Sequence, residues 1–432
     1  AKQCCFHQVV PLSTCLPTTR SEAMSLRKRS RLYYRLCVAS AVLLILGTTV
    51  VLSSSTGPAI EKTGNPLYYF QRHLLWLALG GLAMALFNRF GLRRLEKDKK
   101  ILIFSFIGSL CLLPVPIFLG TLRWIIVGPF SFQPAELVKL TFILFLADYL
   151  RRHRYTRKQI RNLFWPVVSF LVITLLLQFQ RDLGTFVIIF LSLGLLLFLA
   201  GQPRRHLAFM TGCGLVLLVI LILLFPYRRE RIVSAFLPGK DLMGKGYQPF
   251  QSKITLGSGG WLGRGMGAGL AKLLYLPEAH KDYVYAIVGE EMGLLGTSVV
   301  LFFFVVLTFS GLELALRARN DFQRFLAAGI GSLFGFQFLL HAGVVLCLIP
   351  AKGTTLPFFS VGGSSLLINL VSLGILLAIA RDACFPSSLE DLQESSLLHY
   401  EAPARMVWRR YHPVRFRVPF FLRYSKISSR RW

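Results

Sequence analysis

The chain has 432 residues, of which 54% are hydrophobic, 13% are aromatic and only 16% are charged. Soluble domains carry roughly 25% charged residues, so the composition predicts a membrane protein. Lysine and arginine outnumber aspartate and glutamate by 49 to 20, which gives a net charge of +29. Such an excess suits nucleic acid or an anionic membrane face, and the apolar content decides for the membrane. A soluble enzyme, a disordered chain and a nucleic-acid binder are therefore excluded.

Ten segments of the chain have the character of membrane-spanning helices. Such a helix needs about 20 mostly apolar residues. Eight runs meet this requirement without any Asp, Glu, Lys or Arg, and two weaker segments complete the set. We predict an all-α polytopic membrane protein with spans at residues 38–60, 74–88, 101–122, 134–150, 162–180, 183–203, 207–227, 294–312, 325–351 and 353–380.

The loops between these spans alternate in charge, which predicts their orientation. Loops near 53–69 and 120–133 are almost free of Lys and Arg, whereas the alternate loops and both tails are basic. Because cytoplasmic loops carry the basic excess, we expect both termini in the cytoplasm. The predicted parts are a basic N-terminal tail at 1–35, a membrane domain at 36–381 with an extracytoplasmic loop at 228–282, and a basic C-terminal tail at 382–432.

Several ionisable residues lie in or beside the predicted spans. Each is a functional candidate, because a charge at membrane depth is costly. Glu136 and Lys139 are three residues apart on one helix face, so they either neutralise each other or contact a ligand. Asp182 follows Arg181 at the end of the fifth span, where this pair could simply cap a helix.

A glycine-dense run, LGSGGWLGRGMGAGL at 256–270, lies in the long loop. It lacks the GK[ST] ending of a phosphate-binding loop. The run favours a loop that folds tightly against the membrane surface.

Six motifs in order resemble the SEDS family (shape, elongation, division and sporulation). The resemblance covers residues 36–381, and its PxKG motif is closer to the division branch, typified by FtsW, than to RodA. The motifs are RW with GP and FQPAELVKL (123–140), QRDLGT (180–185), PYRRERI (226–232), GKGYQPFQS (244–252), YLPEAHKDYVYAIVGEEMGLLG (275–296) and PAKGTTLPFFSVGGSS (350–365).

The resemblance implies a ten-span glycosyltransferase that polymerises lipid II into peptidoglycan strands. It implies that Asp282 is the essential catalytic residue, and a carboxylate suits removal of a proton from the attacking sugar hydroxyl. A divalent cation, Mg²⁺ or Mn²⁺, could bridge Asp282 and the pyrophosphate leaving group. Asp282 could therefore act as a general base, as a metal ligand, or as both.

Other residues of the motifs are candidates for substrate binding. Arg228 and Arg231 could stabilise the pyrophosphate, or anchor a helix end at the headgroups. The serines of 350–365 could donate to the lipid substrate, or close a tight re-entrant turn. The candidates are Arg228, Arg231, Lys352, Lys139, Glu136, Trp124, Gln133, Gln251, Glu278, His280, Ser360, Ser364 and Ser365.

Partners and location follow from the same resemblance. We expect a class B penicillin-binding protein, which is a transpeptidase, together with other membrane proteins of the division machinery, and no nucleic acid. The expected location is the bacterial inner membrane at the division septum. Two alternatives remain: a lipid II flippase, and a non-catalytic scaffold that recruits division proteins through its basic tails.

Overall fold

A computed structural model shows an α-helical bundle and describes residues 20–128, 130–153, 160–236, 244, 246–350, 353 and 355–384. Most of both predicted tails lies outside these residues. The helices are α1 (Arg20–Thr63), α2 (Tyr68–Leu86), α3 (Leu92–Lys97), α4 (Lys99–Leu112), α5 (Val115–Phe118), α6 (Pro134–Arg152), α7 (Phe164–Phe179), α8 (Leu183–Leu199), α9 (Arg204–Leu224), α10 (Pro226–Phe236), α11 (Tyr247–Ser258), α12 (Ala279–Asp282), α13 (Val284–Arg317), α14 (Asp321–Val345) and α15 (Gly363–Cys384).

Three short turns and one hairpin complete the described structure. Phe87–Gly91 and Ala271–Tyr275 are π-helical turns, and Ile160–Leu163 is a 3-10 turn. Strands β1 (Ile125–Val127) and β2 (Phe130–Phe132) pair antiparallel.

Eight described helical stretches are long and apolar enough to cross a bilayer. Helices α1, α2, α9, α13, α14 and α15 each form most or all of one stretch. The other two are Lys99–Phe118, which joins α4 to α5, and Arg161–Phe179, which joins the 3-10 turn to α7. Helix α8 is apolar but has only 17 residues. Helix α6 contains Glu136, Lys139 and Asp148. Helices α6 and α8 occupy the two remaining predicted positions. The all-α polytopic class is confirmed, and the number of ten spans stays a prediction.

Some predicted boundaries are wrong for identifiable reasons. Helix α4 ends at Leu112, ten residues before the predicted end of its span, because Pro114 and Pro116 interrupt the apolar run. Helix α13 begins at Val284, ten residues before the predicted start. The prediction began the span after residues 290–291, because two adjacent glutamates are unusual in a membrane-spanning segment. Both glutamates are nevertheless buried in the helix.

Helices α13 and α14 approach closely at the centre of the bundle. A Cβ added to Gly311 would lie 2.7 Å from the Cα of Gly331, so the two glycines allow backbone contact. Beside them Phe304 and Phe338 stack with ring centroids 4.7 Å apart.

Helix α13 is broken at Gly293, and the glycine-rich loop repairs the break. Gly293 has φ 65° and ψ −163°, which interrupts the helical hydrogen bonds. The amides of Arg264 and Gly265 donate to the carbonyls of residues 290 and 291, at 2.9 and 3.0 Å. In return, the amides of residues 294 and 295 donate to the carbonyls of residues 260 and 261, at 2.9 and 3.2 Å. Four loop bonds thus replace those that the helix loses. The loop folds tightly against α13, and its position against the membrane surface stays a prediction.

The paired glutamates hold the rest of the loop. Glu290 accepts from the amides of Leu270 and Ala271, at 2.9 and 3.1 Å. Glu291 pairs with Lys272 at 3.3 Å and accepts from Ser53 of α1 at 2.6 Å. Both carboxylates therefore have structural partners beneath the loop.

We predict graded destabilisation for alanine substitutions of the loop glycines. A Cβ at Gly263, where φ is +82°, would lie 2.2 Å from the Glu291 carbonyl oxygen. Gly263→Ala should therefore lower the free energy of unfolding by more than about 2 kcal/mol, measured by thermal unfolding in detergent. Gly265→Ala meets no atom within 4 Å but has φ +99°, so backbone strain alone should remove about 1–2 kcal/mol.

The matched control is Gly257→Ala in α11, which has open space and no positive φ. It should melt at or slightly above the parent temperature, since alanine favours a helix. Equal melting temperatures for all three variants would contradict the proposal that the four hydrogen bonds between the loop and α13 stabilise the protein.

Candidate functional site

The predicted catalytic residue Asp282 ends the short helix α12, immediately before α13 begins. The helix starts after Glu278, which has a left-handed backbone with φ 53°. The segment that precedes α15 packs against it: the Val361 amide donates to the His280 carbonyl at 3.0 Å. Ser360 Oγ donates to the Lys281 carbonyl at 2.6 Å. The motif that contains Asp282 and the PAKGTTLPFFSVGGSS motif thus meet, although the bonded residues Lys281 and Ser360 are 79 positions apart in the chain.

The three predicted serines are buried and have protein partners. Ser360 Oγ also accepts from the Leu356 amide at 2.8 Å. Ser364 Oγ accepts from the Gln133 amide at 3.1 Å. Ser365 Oγ bonds to Thr355 at 2.9 Å. These contacts favour the interpretation of a turn that satisfies its own polar groups, and they tie it to the start of α6.

The carboxylate of Asp282 and the guanidinium of Arg123 both lie next to Gly353. An added Cβ at Gly353 would lie 3.0 Å from Arg123 Nη1 and 3.4 Å from Asp282 Oδ2. Gly353 has φ +62°, a conformation that side chains other than glycine rarely adopt. Both charged groups therefore border the small space over this glycine.

Arg123 also binds the turn between α7 and α8. Its Nε donates to the Gln180 carbonyl at 2.9 Å and its Nη2 to the Arg181 carbonyl at 2.5 Å. The neighbouring Asp182 caps α8 by accepting from the amide of Thr185 at 3.1 Å. The predicted capping role is confirmed for Asp182, whereas the Arg181 guanidinium lies over the ring of Tyr227, 5.5 Å from its centroid.

Burial and charge act in opposite directions on Asp282. Burial raises the pKa of Asp282 to about 6, and the nearby cation of Arg123 limits the rise. Glu278 raises this pKa further, while Lys281 and Arg231 lower it. The carboxylate therefore ionises near neutral pH, which is the range required of a general base.

Two neighbours of Asp282, Glu278 and His280, have pKa values that are lowered rather than raised. Burial opposes ionisation of Glu278, but the Lys281 ammonium, 2.6 Å away, holds the pKa of that carboxyl below its ordinary value. Burial lowers the pKa of His280 to about 4, so its imidazole is neutral at physiological pH. The His280 ring lies 5.4 Å from that of Tyr69.

A cavity of about 300 Å³ opens on the other side of Lys281. Aromatic and basic side chains from α2 and the hairpin form its wall together with the 361–363 turn. Among the described residues it is lined by Tyr69, Arg72, His73, Trp76, Trp124, Ile126, Ser131, Lys281, Val361, Gly362 and Gly363. The predicted residue Trp124 lies here, and the volume suits part of a small-molecule ligand.

The predicted pair of arginines divides into two roles. Arg228 is buried: its Nε donates to the Tyr227 hydroxyl at 2.8 Å, Nη1 to the Leu221 carbonyl at 2.9 Å and Nη2 to Gln178 at 2.5 Å. These contacts favour a structural role for Arg228. Arg231 is exposed, and its charge acts on Asp282.

The remaining predicted site residues are dispersed. Glu136 and Lys139 form a buried ion pair of 2.8 Å in α6. This contact favours the alternative in which the two charges neutralise each other. Gln133 is the buried residue before α6, and Gln251 is half-buried on α11. Lys352 lies outside the described residues.

A metal site made of protein side chains alone is not apparent. Among the described residues, no three His, Cys, Asp or Glu side chains gather closely enough to hold an ion. A cation at Asp282 would therefore need ligands from the substrate or water.

The sequence prediction missed Arg123 and the cavity residues of α2. Arg123 belongs to the RW motif, of which only Trp124 is a predicted binding residue. Tyr69, Arg72 and His73 lie at the start of a weak span. Aromatic and basic residues directly before a weak span were the signal that could have predicted a binding surface there.

Comparisons with known proteins place these features in a family. A family model described as a cell cycle protein, for FtsW, RodA and SpoVE, matches residues 34–384. The probable peptidoglycan glycosyltransferase FtsW of Aliivibrio salmonicida is 36% identical over 346 residues, which cover 79% of this chain and 86% of that protein. The protein of the same name from Nitrosococcus halophilus is 36% identical over 360 residues, with 81% and 92% coverage.

Solved structures agree with the sequence relatives. A chain from a study of the structural coordination of polymerization and crosslinking by a peptidoglycan synthase complex superposes with TM-score 0.66 and 30% identity, covering 81% of this chain and 97% of that chain. The rod shape determining protein RodA of Thermus thermophilus superposes with TM-score 0.57 and 27% identity, covering 80% and 96%.

We predict that Arg228 and Arg229 contribute unequally to stability. Arg228→Gln should lower the free energy of unfolding by more than about 2 kcal/mol, because it removes charged hydrogen bonds from buried acceptors. Its neighbour Arg229 is exposed, so Arg229→Gln should change stability by less than about 0.5 kcal/mol. Thermal unfolding in detergent compares the two. An Arg228→Gln variant as stable as Arg229→Gln would return Arg228 to the list of substrate-binding candidates.

Proposed function

We infer that this chain, which belongs to the FtsW, RodA and SpoVE family of cell cycle proteins, is a peptidoglycan glycosyltransferase. It polymerises lipid II into glycan strands in septal cell-wall synthesis. The observation that carries this proposal is the half-buried carboxylate of Asp282, whose pKa desolvation raises to about 6, near the guanidinium of Arg123.

Asp282 acts as the general base in this proposal. The 4-hydroxyl of the acceptor GlcNAc attacks the anomeric carbon of the donor and transfers its proton to the Asp282 carboxylate. A single displacement inverts the α-linked donor sugar to a β-1,4 bond, and the donor's bond to phosphate breaks. Undecaprenyl pyrophosphate leaves with the electron pair.

Cations near Asp282 stabilise the negative charge that develops on the leaving group. Arg231 is the candidate on α10, and its exposed side chain suits a ligand that enters from the outer side. Lys352 remains a candidate beside Gly353. A divalent cation, Mg²⁺ or Mn²⁺, remains a proposal: Asp282 would hold it, and it would supply positive charge to the leaving group.

The cavity beside Lys281 suits a sugar of the substrate. Its Tyr69, Trp76 and Trp124 offer flat apolar surfaces, and Arg72 and Lys281 offer donors at the rim. Gly363 supports this surface, since an added Cβ would lie 2.0 Å from Trp76 Nε1. Trp124 thus links the cavity to Arg123, its neighbour in the chain.

The partner and the location complete the proposal. A class B penicillin-binding protein would cross-link the strands, which is supported by the superposition on a chain of a peptidoglycan synthase complex. Other division-machinery membrane proteins would position the pair. We place the protein in the inner membrane at the division septum, with both termini in the cytoplasm.

Reconstitution tests the function directly. The full chain, purified with its class B partner in detergent, is supplied with labelled lipid II, and glycan strands are resolved by gel electrophoresis. Strands in the presence of an inactive transpeptidase partner would support the proposal. Labelled lipid that crosses liposomes without forming strands would instead indicate a flippase.

Asp282→Asn should abolish polymerisation while it preserves the fold. The amide has the shape of the carboxylate but accepts no proton, so the rate should fall by at least about 10²–10⁴-fold. Asp98→Asn, between α3 and α4 and without a side-chain cap bond, is the control and should retain the parent rate. Strand synthesis by the Asp282→Asn protein at the parent rate would exclude the base role.

Polymerisation should depend on pH through the ionisation of Asp282. The carboxylate is the active form and burial raises its pKa to about 6, so kcat/KM should fall as pH decreases through about 6. The pKa of His280 is lowered to about 4, so histidine does not account for this change. An acid limb centred near pH 4 would show that Asp282 is not enclosed in the active protein.

A further inference from the structure

Arg123 connects three parts of the chain that are far apart in sequence. It follows α5, donates to two carbonyls of the 180–181 turn, and borders the space over Gly353 together with Asp282. Nε and Nη2 make the two carbonyl bonds, whereas Nη1 is the nitrogen nearest to Gly353. One edge of the guanidinium is thus fixed by carbonyls, and Nη1 on the other side borders the space over Gly353, which the Asp282 carboxylate also borders.

The backbone around this contact is strained. Leu122, Arg181 and Glu278 have left-handed φ values of 60°, 55° and 53°. Such conformations are unfavourable for residues other than glycine and cluster at functional sites. Each of these three residues directly positions Arg123, one of its acceptors or the helix of Asp282.

The other described cations near Asp282 have different surroundings. Lys281 is paired with Glu278 at 2.6 Å. Arg231 is exposed on α10, and it lowers the pKa of Asp282 less than Arg123 and Lys281 do. Arg123 has the largest effect among the cations that lower the pKa of Asp282.

We propose that Arg123 is a catalytic residue that binds the pyrophosphate of the donor lipid through its Nη1 edge, over Gly353 and next to Asp282. This inference rests on the proposed glycosyltransferase function and adds a residue to it. As the bond from the anomeric carbon to phosphate oxygen breaks, its electron pair goes to pyrophosphate, where the guanidinium stabilises the new charge. The acceptor oxygen forms the new bond to that carbon, and its proton passes to Asp282.

Arginine is suited to this position by its geometry. Its planar fork places donors on two edges at once, which a lysine ammonium does not. The carbonyls of residues 180 and 181 hold one edge, so little conformational freedom is lost when an anion binds the other. The left-handed Gly353 leaves room for a phosphate oxygen where another residue would place a side chain.

The test compares the full chain with Arg123→Gln and Arg123→Lys, each with its class B partner. We expect kcat for lipid II polymerisation to fall about 10²-fold in Arg123→Gln, and less in Arg123→Lys, which keeps the charge. Inorganic pyrophosphate should inhibit the parent, and its inhibition constant should rise about tenfold or more in Arg123→Gln. Arg264→Gln, an exposed arginine of the glycine-rich loop, should match the parent in both measurements.

Two readouts separate catalysis from a structural role. A loss of folded protein lowers the number of active molecules but leaves the inhibition constant of pyrophosphate unchanged. Thermal unfolding of each variant measures that loss. The proposal would be overturned if kcat of the Arg123→Gln variant were within threefold of the parent value. It would also be overturned if the inhibition constant of pyrophosphate were the same for that variant and the parent.

Direct binding distinguishes failure of this proposal from failure of the proposed function. Calorimetric titration of the complex with inorganic pyrophosphate does not require polymerisation. If the parent makes no strands, the glycosyltransferase proposal fails, and loss of pyrophosphate binding in Arg123→Gln alone still identifies the anion site. Equal binding by the parent and Arg123→Gln would reject the role of Arg123 in either case.

Discussion

The need to satisfy backbone hydrogen bonds at the break in α13 constrains the part of the molecule that carries Asp282. In a membrane an unpaired amide or carbonyl costs several kcal/mol. Gly293 removes helical bonds, and the loop at 259–265 restores them from outside the helix. The buried half-helix at 284–292 is therefore anchored at its C-terminal end by this loop. Asp282 ends α12 immediately before the N-terminal end of this half-helix, so the position of the carboxylate depends on glycines about 20 residues before it in the chain.

At the site itself, the balance between burial and charge gives Asp282 its chemical character. Burial alone would favour a neutral acid, whereas the cation of Arg123 favours the carboxylate. The result is a group that holds a proton weakly near neutral pH. In the proposed reaction Arg123 also binds the leaving group, so proton acceptance and departure of pyrophosphate occur beside one guanidinium.

The sequence predicted the helical class well, because long apolar runs are strong local signals. The catalytic role of Asp282 stays a prediction, which rests on an ordered set of motifs. The cap at Asp182 was also predictable, since an acidic residue before an apolar run commonly begins a helix. Helix α13 was predicted too short, because burial of Glu290 and Glu291 depends on partners that lie elsewhere in the chain. The convergence of Arg123 with Gly353 could not be predicted for the same reason. It requires contacts among α5, the 180–181 turn and the segment before α15, which no local pattern contains.

The repaired break also has a consequence for how the protein is made. Ribosomes synthesise the loop before α13, but the four bonds require both, so they form only after the helix has emerged. Residues 294–317 alone meet the length and hydropathy of a bilayer-spanning segment and need no help from the loop to enter the membrane. A mutation at Gly263 should therefore escape the insertion machinery and be detected later, by the proteases that remove misassembled membrane proteins.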